Sequence, residues 1–277
     1  MHSNLVHVQW LHEHLQEENL RILDCRFVLG QPDVGEQSYR QGHIPGALYL
    51  HLERDLSAPK QIHGGRHPLP TPERFTEIMS AAGIDEHVTV VAYDDQGGAF
   101  ASRLWWMLKY FGHSNVFLLD GGFSAWQNSE YPVAAEIPAM RPKSFTVRPQ
   151  YDWVVNMEEV KQKLDCDDVA LIDSREFKRY AGLEEHIDPV AGHIPGARNY
   201  FWKDSLNDNG YWKNAKEQRD RFQGIREDRE VIVYCGSGVT ACPNILALKE
   251  AGFTNVKLYP GSWSDWCSYP DNPVERE

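Results

Sequence analysis

The chain has 277 residues, 42% apolar and 25% charged, which is near the globular average and excludes general disorder. A net charge of −12 excludes both a basic nucleic-acid footprint and adhesion to an anionic membrane. Five cysteines, an odd number in so long a chain, exclude a secreted disulfide framework.

At roughly 100–200 residues per domain, the length predicts two domains. No stretch approaches the roughly 18 consecutive apolar residues of a membrane span. The opening M-H-S-N-L-V-H-V-Q-W lacks the basic and apolar regions of a signal peptide, so the expected location is the cytoplasm, with reduced thiols. The first buried run, R-I-L-D (Arg21 to Asp24), leads to the hexapeptide G-H-I-P-G-A at Gly42–Ala47. A Gly/Pro loop, G-G-R-H-P-L-P (Gly64 to Pro70), presents the polar pair Arg66–His67, and sites concentrate in such loops. The strand V-T-V-V-A-Y ends at Asp94, and the helical run R-L-W-W-M-L-K-Y-F follows. S-N-V-F-L-L-D-G-G-F-S-A-W (Ser114 to Trp126) closes this part. The Pro-rich Y-P-V-A-A-E-I-P-A-M-R-P-K (Tyr131 to Lys143) lacks periodicity, so 131–150 is read as a linker between domains 1–130 and 151–277.

Beyond the linker the landmarks recur in the same order. A-L-I-D (Ala170 to Asp173) precedes a second G-H-I-P-G-A at Gly192–Ala197, and E-V-I-V-Y-C (Glu230 to Cys235) matches the strand before Asp94. T-N-V-K-L-Y-P-G-S-W-S-D-W (Thr254 to Trp266) matches the segment ending at Trp126. Four landmarks in register imply a duplicated domain. Short β-branched runs alternate with helical patterns, which predicts an α/β fold in each copy: a mainly parallel sheet with helices on both faces. Ligands in such folds sit beyond the carboxyl ends of the strands. Asp94 stands there in the first copy and Cys235 in the second.

The loop C-G-S-G-V-T-A-C (Cys235 to Cys242) joins that strand to the next helix. Gly236 and Gly238 suit positive φ, and successive N–H groups through Val239 and Thr240 can form an anion nest. The helix dipole adds about 0.3–1 kcal/mol for a negative charge at its N-terminus, and Pro243 fits the first turn without losing a donor. All of this favours negative charge on the Cys235 sulfur, as thiolate or persulfide. Cysteine phosphatases carry Arg six residues after the nucleophile, where this chain has Ala241. The G-K-[ST] of a nucleotide loop is absent. A thiol protease would need a histidine from elsewhere.

Y-R-Q-G-H-I-P-G-A-L-Y-L (Tyr39 to Leu50), C-G-S-G-V-T and G-S-W-S-D-W (Gly261 to Trp266) resemble tandem-domain sulfurtransferases of the rhodanese superfamily. C-G-S-G-V-T resembles the loop of the 3-mercaptopyruvate enzymes, whereas thiosulfate enzymes typically carry C-R-K-G-V-T. The resemblance implies two rhodanese-like domains with the active site in the cleft between the copies. The first domain, with Asp94 in the cysteine place, is catalytically silent and supplies a wall that includes His67. Cys235 takes sulfane sulfur from 3-mercaptopyruvate or thiosulfate as a persulfide and passes it to cyanide, a thiol or thioredoxin, in ping-pong order, with no metal or organic cofactor. Ser237 relays a proton with His67 and a carboxylate at Glu53, where the family usually has Asp. Arg179 holds the donor's anionic group; its bland alternative is a salt bridge with Glu176 or Glu184. The family's second arginine is matched by His186, and Arg66 could supply the missing cation. The competing function is a non-catalytic persulfide sensor or binding module. His43, His193, Asp24 and Asp173 are expected to be structural and Cys242 to pack. The H-x-x-x-H of His63 and His67, in a Gly/Pro loop, is not expected to bind metal.

Overall fold

The computed structural model describes residues 3–164 and 166–277. It divides into two compact units. The first takes the chain up to Ala58, with Pro70–Gln150 and Asp208–Trp212; the second takes Pro59–Leu69, Tyr151–Asn207 and Lys213–Glu277. Segment 59–69 thus lies in the sequence of the first repeat and in the packing of the second unit. Segment 131–150 packs with the first unit: Phe145 meets Phe75 edge-on, and Arg148 and Gln150 donate backbone N–H groups to Phe111 and Tyr110.

In the first unit β1 (Leu5–Val6), β2 (Leu20–Asp24), β3 (Ala47–Tyr49), β4 (Thr89–Tyr93) and β5 (Val116–Leu119) form one parallel sheet, in the order β1-β5-β4-β2-β3. Its helices are α1 (Val8–His14), α2 (Pro32–Gln41), α3 (Pro72–Ala81), α4 (Ala101–Tyr110) and α5 (Gly122–Asn128). The second unit contains α6 (Met157–Gln162), β6 (Val169–Asp173), α7 (Phe177–Tyr180), β7 (Arg198–Asn199), α8 (Ala215–Arg221), β8 (Glu230–Tyr234), α9 (Ala241–Ala251), β9 (Val256–Leu258) and α10 (Ser262–Trp266). Its sheet is again parallel, in the order β7-β6-β8-β9. The central strands β4 and β8 are buried along almost their whole length, so they read as continuous apolar runs rather than alternating ones. Helix α9, apolar through its start and middle apart from the hydrogen-bonded Asn244, is buried over that stretch and ends at Gly252 in the left-handed region. Among the described residues no helix is long and apolar enough to cross a membrane.

The repeated hexapeptide proves to be a structural device, and the two units build it identically. Asp24 ends β2 beside Tyr93 of β4, and Asp173 ends β6 beside Tyr234 of β8. Each aspartate grips a buried arginine two residues on, Arg26 or Arg175, at 2.6 Å. The same arginine donates at 2.7 Å to the carbonyl of the hexapeptide's first glycine, Gly42 or Gly192. His43 and His193 turn Nδ1 to the carbonyls of Tyr39 and Tyr180 at 2.8 Å and stack on those tyrosine rings. The aspartate carboxylate, the arginine Nε and Nη2, and the first hexapeptide carbonyl thus satisfy one another in both units, which is why the sequence recurs so closely. It also places the end of β8, and hence the loop after it, on a rigid base.

Candidate active site

Cys235 follows Tyr234 directly, and only 1% of its surface is exposed. Its N–H donates to Ser262 Oγ at 3.1 Å, and its carbonyl accepts from Trp263 N at 3.0 Å. The next carbonyl, of Gly236, accepts from Ser264 N at 3.0 Å. The start of α10 therefore clamps the nucleophile loop from behind. Ser262 does this from φ 54°, a left-handed conformation that costs a side-chain-bearing residue roughly 1–2 kcal/mol. Gly238 has φ 75°, and a Cβ there would lie 2.3 Å from the Pro260 carbonyl oxygen, so only glycine fits. Gly236 differs from the sequence expectation: its φ is not positive. Its missing side chain serves another end, because a Cβ there would come within 2.8 Å of Arg66 Nη2 and 3.5 Å of Arg179 Nη1.

Inside the loop, Ser237 N–H points at the Cys235 sulfur at 3.5 Å. Ser237 Oγ and His67 Nδ1 are 2.8 Å apart, and both residues are buried. The hydrogen bond between them runs in either direction according to the imidazole tautomer. Cys242 is fully buried and its thiol donates to the Gly238 carbonyl at 3.5 Å, a packing place beneath the loop. Val239 is buried, and Thr240, partly buried, directly precedes α9.

The segment carrying Arg66 and His67 is sewn to α10. Gly64 N–H donates to Asp265 Oδ1 at 2.6 Å, and Arg66 N–H donates to Ser264 Oγ at 3.1 Å. Gly65, at φ 83°, approaches Gly261 so closely that a Cβ would lie 2.4 Å from its carbonyl oxygen. His63 is held apart from His67, against Ser268 Oγ at 2.8 Å and stacked on Tyr269.

The arginines are fixed by two acidic residues that sequence reasoning missed. Arg179 pairs with neither Glu176 nor Glu184; Glu184 pairs with Lys178 instead. Arg179 Nε and Nη2 donate to Glu185 at 3.1 and 2.9 Å, and Nη2 also reaches Asp188 Oδ2 at 3.1 Å. Arg66 Nη1 donates to Asp188 Oδ1. Burial raises the Glu185 pKa, but the Asp188 N–H and the Arg179 guanidinium outweigh it and leave the group below the usual carboxylate range. Burial pushes Asp188 up despite Arg66. His186, between them, is exposed. Glu53 lies in the first unit, in the turn after β3, where its N–H donates to His51 Nδ1 at 3.1 Å.

The first unit shows what this kind of loop does to an anion. Asp94, buried at the end of β4, accepts N–H groups from Gln96, Gly98, Phe100 and Ala101 at 2.8–2.9 Å. That is an anion nest with a built-in carboxylate.

Comparison with known proteins agrees with the geometry. A family model described as rhodanese-like domain matches twice, over residues 7–129 and 156–269. The chain is 41% identical over 277 residues to a probable 3-mercaptopyruvate sulfurtransferase of Pseudomonas aeruginosa, covering 98% of both chains. It is 38% identical over 260 residues to the putative thiosulfate sulfurtransferase SseB of Mycobacterium tuberculosis, covering 92% of this chain and 90% of that one. The crystal structure of the Escherichia coli 3-mercaptopyruvate enzyme SseA superposes with TM-score 0.84 at 33% identity, covering 95% of this chain and all of that one. With two matched domains and full-length relatives of one activity class, the chain belongs to the rhodanese family, as a tandem-domain sulfurtransferase.

Proposed function

We propose that the chain moves sulfane sulfur from 3-mercaptopyruvate, in preference to thiosulfate, to a thiol-type acceptor through a persulfide on Cys235. The observation that carries this reading is the buried Ser237–His67 hydrogen bond beside the Cys235 sulfur. The two donors differ in what they ask of protons. When the Cys235 thiolate attacks thiosulfate, the S–S bond breaks and sulfite leaves with the electron pair, with no proton moved. When it attacks the sulfur of 3-mercaptopyruvate, the C–S bond breaks and pyruvate leaves as a carbanion-like enolate. The donor's thiol proton must then travel from sulfur to that carbon. A hydroxyl in contact with an imidazole performs such a transfer, typically worth about 10²–10⁴ in rate.

The backbone N–H groups of Gly236, Ser237, Gly238, Val239 and Thr240 cradle the persulfide anion. Arg179 and Arg66 receive the donor carboxylate above Gly236. The exposed His186 contributes a further positive charge at the loop when protonated. Glu53 takes the carboxylate place that the family resemblance gives it in the proton relay. Cyanide, a small thiol or thioredoxin then accepts the outer sulfur, in the cytoplasm.

The test is kcat/KM for both donors with cyanide as acceptor, together with mass spectrometry after donor exposure. The expected result is a higher kcat/KM for 3-mercaptopyruvate and a gain of one sulfur on the Cys235 peptide. Turnover with thiosulfate alone, or sulfur on another cysteine, would overturn the reading.

A further inference from the structure

The loop after α7 carries two carboxylates, Glu185 and Asp188, whose side chains are each only 3% exposed. Neither lies on a strand end or helix cap, and their partners are all cations or their own loop. Glu185 folds the loop on itself, accepting the N–H groups of Ile187 and Asp188 at 2.9 and 3.0 Å. It also lies 3.5 Å from Arg175 Nη1. Asp188 bridges Arg66 and Arg179, the two arginines that flank Gly236.

Two consequences follow from this arrangement. The first is geometric. Glu185 and Asp188 engage Arg179 Nε and Nη2 and Arg66 Nη1, while Arg179 Nη1 and Arg66 Nη2 are the nitrogens nearest Gly236. One N–H corner from each arginine converges on one place, a pattern that suits the two oxygens of a single carboxylate. The second is electrostatic. The three guanidiniums of Arg66, Arg175 and Arg179 are matched by the three carboxylates of Asp173, Glu185 and Asp188. The cluster, with buried carboxylates and with Arg66 and Arg179 20% and 22% exposed, is formally neutral before any donor arrives. A monoanion adds one uncompensated charge and a dianion adds two, in a partly desolvated place where each is costly.

We propose that Asp188, supported by Glu185, is the donor-specificity residue of this enzyme: it neutralises the arginine pair so that the site accepts a monoanionic keto acid and rejects dianionic thiosulfate. This rests on the sulfur-transfer reading above and extends it to residues outside the loop.

The experiment measures kcat/KM for both donors in the wild type, Asp188→Asn, Asp188→Glu and Glu185→Gln, at fixed ionic strength. Asp188→Asn removes one negative charge beside both arginines while keeping the side chain's shape. It is expected to raise the thiosulfate-to-mercaptopyruvate ratio by at least about tenfold, since the extra charge of the dianion gains most. Asp188→Glu, which keeps the charge, is expected to leave the ratio within about threefold of wild type, and Glu185→Gln to shift it in the same direction as Asp188→Asn. A bracing role without charge selection would lower both donors together and leave the ratio unmoved, which overturns the proposal. A companion measurement needs no variant: inhibition of the wild type by pyruvate, a monoanion, against sulfate, a dianion. Pyruvate is expected to inhibit at the lower concentration; equal or tighter inhibition by sulfate overturns the proposal. Failure of the wild type to use 3-mercaptopyruvate would instead strike the donor reading itself, so the two failures are distinguishable.

Discussion

The loop after β4 and the loop after β8 are the same device carrying different cargo. Both leave the carboxyl end of a buried central strand after a tyrosine whose hydroxyl receives the N–H of Ile44 or Ile194. Both have the first loop carbonyl, of Asp94 or Cys235, accept an N–H from the start of the helix after the next strand, Phe123 of α5 or Trp263 of α10. In the first loop the nest is filled permanently by the Asp94 carboxylate. In the second the Cys235 sulfur takes the place of that carboxylate, with the Ser237 N–H aimed at it at 3.5 Å. One fold thus serves both loops, and the side chain at the strand end decides whether the cradle is satisfied from within, as by Asp94, or left with a sulfur.

The most severe way to break the distinction is to give the second loop the first loop's residue. Cys235→Asp is expected to fold, because a carboxylate suits such a nest, and to lose at least about 10³-fold in turnover with either donor. Circular dichroism and the donor assay check the two halves of that statement. Retained sulfur transfer would show that Cys235 is not the carrier.

His67→Gln comes next. The first unit has Gln96 where the second has Ser237, and Gln96 spends its amide on the Phe27 carbonyl at 2.6 Å rather than on an imidazole. The hydroxyl–imidazole pair thus belongs to one loop alone. Turnover of 3-mercaptopyruvate is expected to fall by about 10²–10⁴-fold, whereas thiosulfate, whose cleavage moves no proton, should change by less than about tenfold. Equal losses on both donors would reduce His67 to a packing residue.

The third test concerns stability. Asp94→Ala leaves four N–H groups without their acceptor, two of them, Phe100 and Ala101, buried, and the expected loss is about 2–3 kcal/mol in urea unfolding, without loss of sulfur labelling at Cys235. Burial raises the Asp94 pKa, only partly opposed by those N–H groups. The native state therefore keeps this proton to a higher pH than the unfolded chain. The stability it contributes is fully present below the ordinary carboxylate range and is lost as pH rises through the raised value. That slope should vanish in the Ala variant.

How far the sequence discloses such detail depends on how local it is. The two sheets, their strand ends and the nucleophile loop were legible because each is written in a short contiguous run: V-T-V-V-A-Y, V-I-V-Y, C-G-S-G-V-T. The hexapeptide was legible as a repeat, and its partners, Arg26 and Arg175, were close in sequence to aspartates already singled out. The acidic brace was not. Glu185 and Asp188 stand in a charged loop after a single-turn helix, and nothing in E-E-H-I-D separates a buried carboxylate from a solvated one. Arg66 reaches Asp188 across 122 positions of sequence, a closeness no local pattern encodes. Gly236 was misread for a related reason. Gly at a turn suggests positive φ, whereas here the absent side chain leaves room for two arginines supplied from elsewhere.

The smallest expected effect separates the two loops most finely. Gly122 and Ser262 occupy matching places in the repeats with φ 58° and 54°. A side chain at Gly122 would drive a Cβ to 2.3 Å from the Asp94 carbonyl oxygen, so the first unit must keep glycine. The second unit tolerates Ser262 in the same conformation, and its hydroxyl accepts the Cys235 N–H while donating to the Tyr259 carbonyl at 2.9 Å. Ser262→Gly relieves about 1 kcal/mol of left-handed strain and gives up a buried hydrogen bond worth about 1 kcal/mol, so stability should change by less than about 1 kcal/mol. Ser262→Ala keeps the strain and loses the bond, and should cost about 1–2 kcal/mol. Both variants remove the hydroxyl that holds the Cys235 N–H while the Trp263 N–H bond to its carbonyl stays, so both should lower kcat by a similar, modest factor despite their different stabilities. Activity that tracked stability instead, with Gly near wild type and Ala impaired, would mean that the hydroxyl braces the fold and does not position the nucleophile.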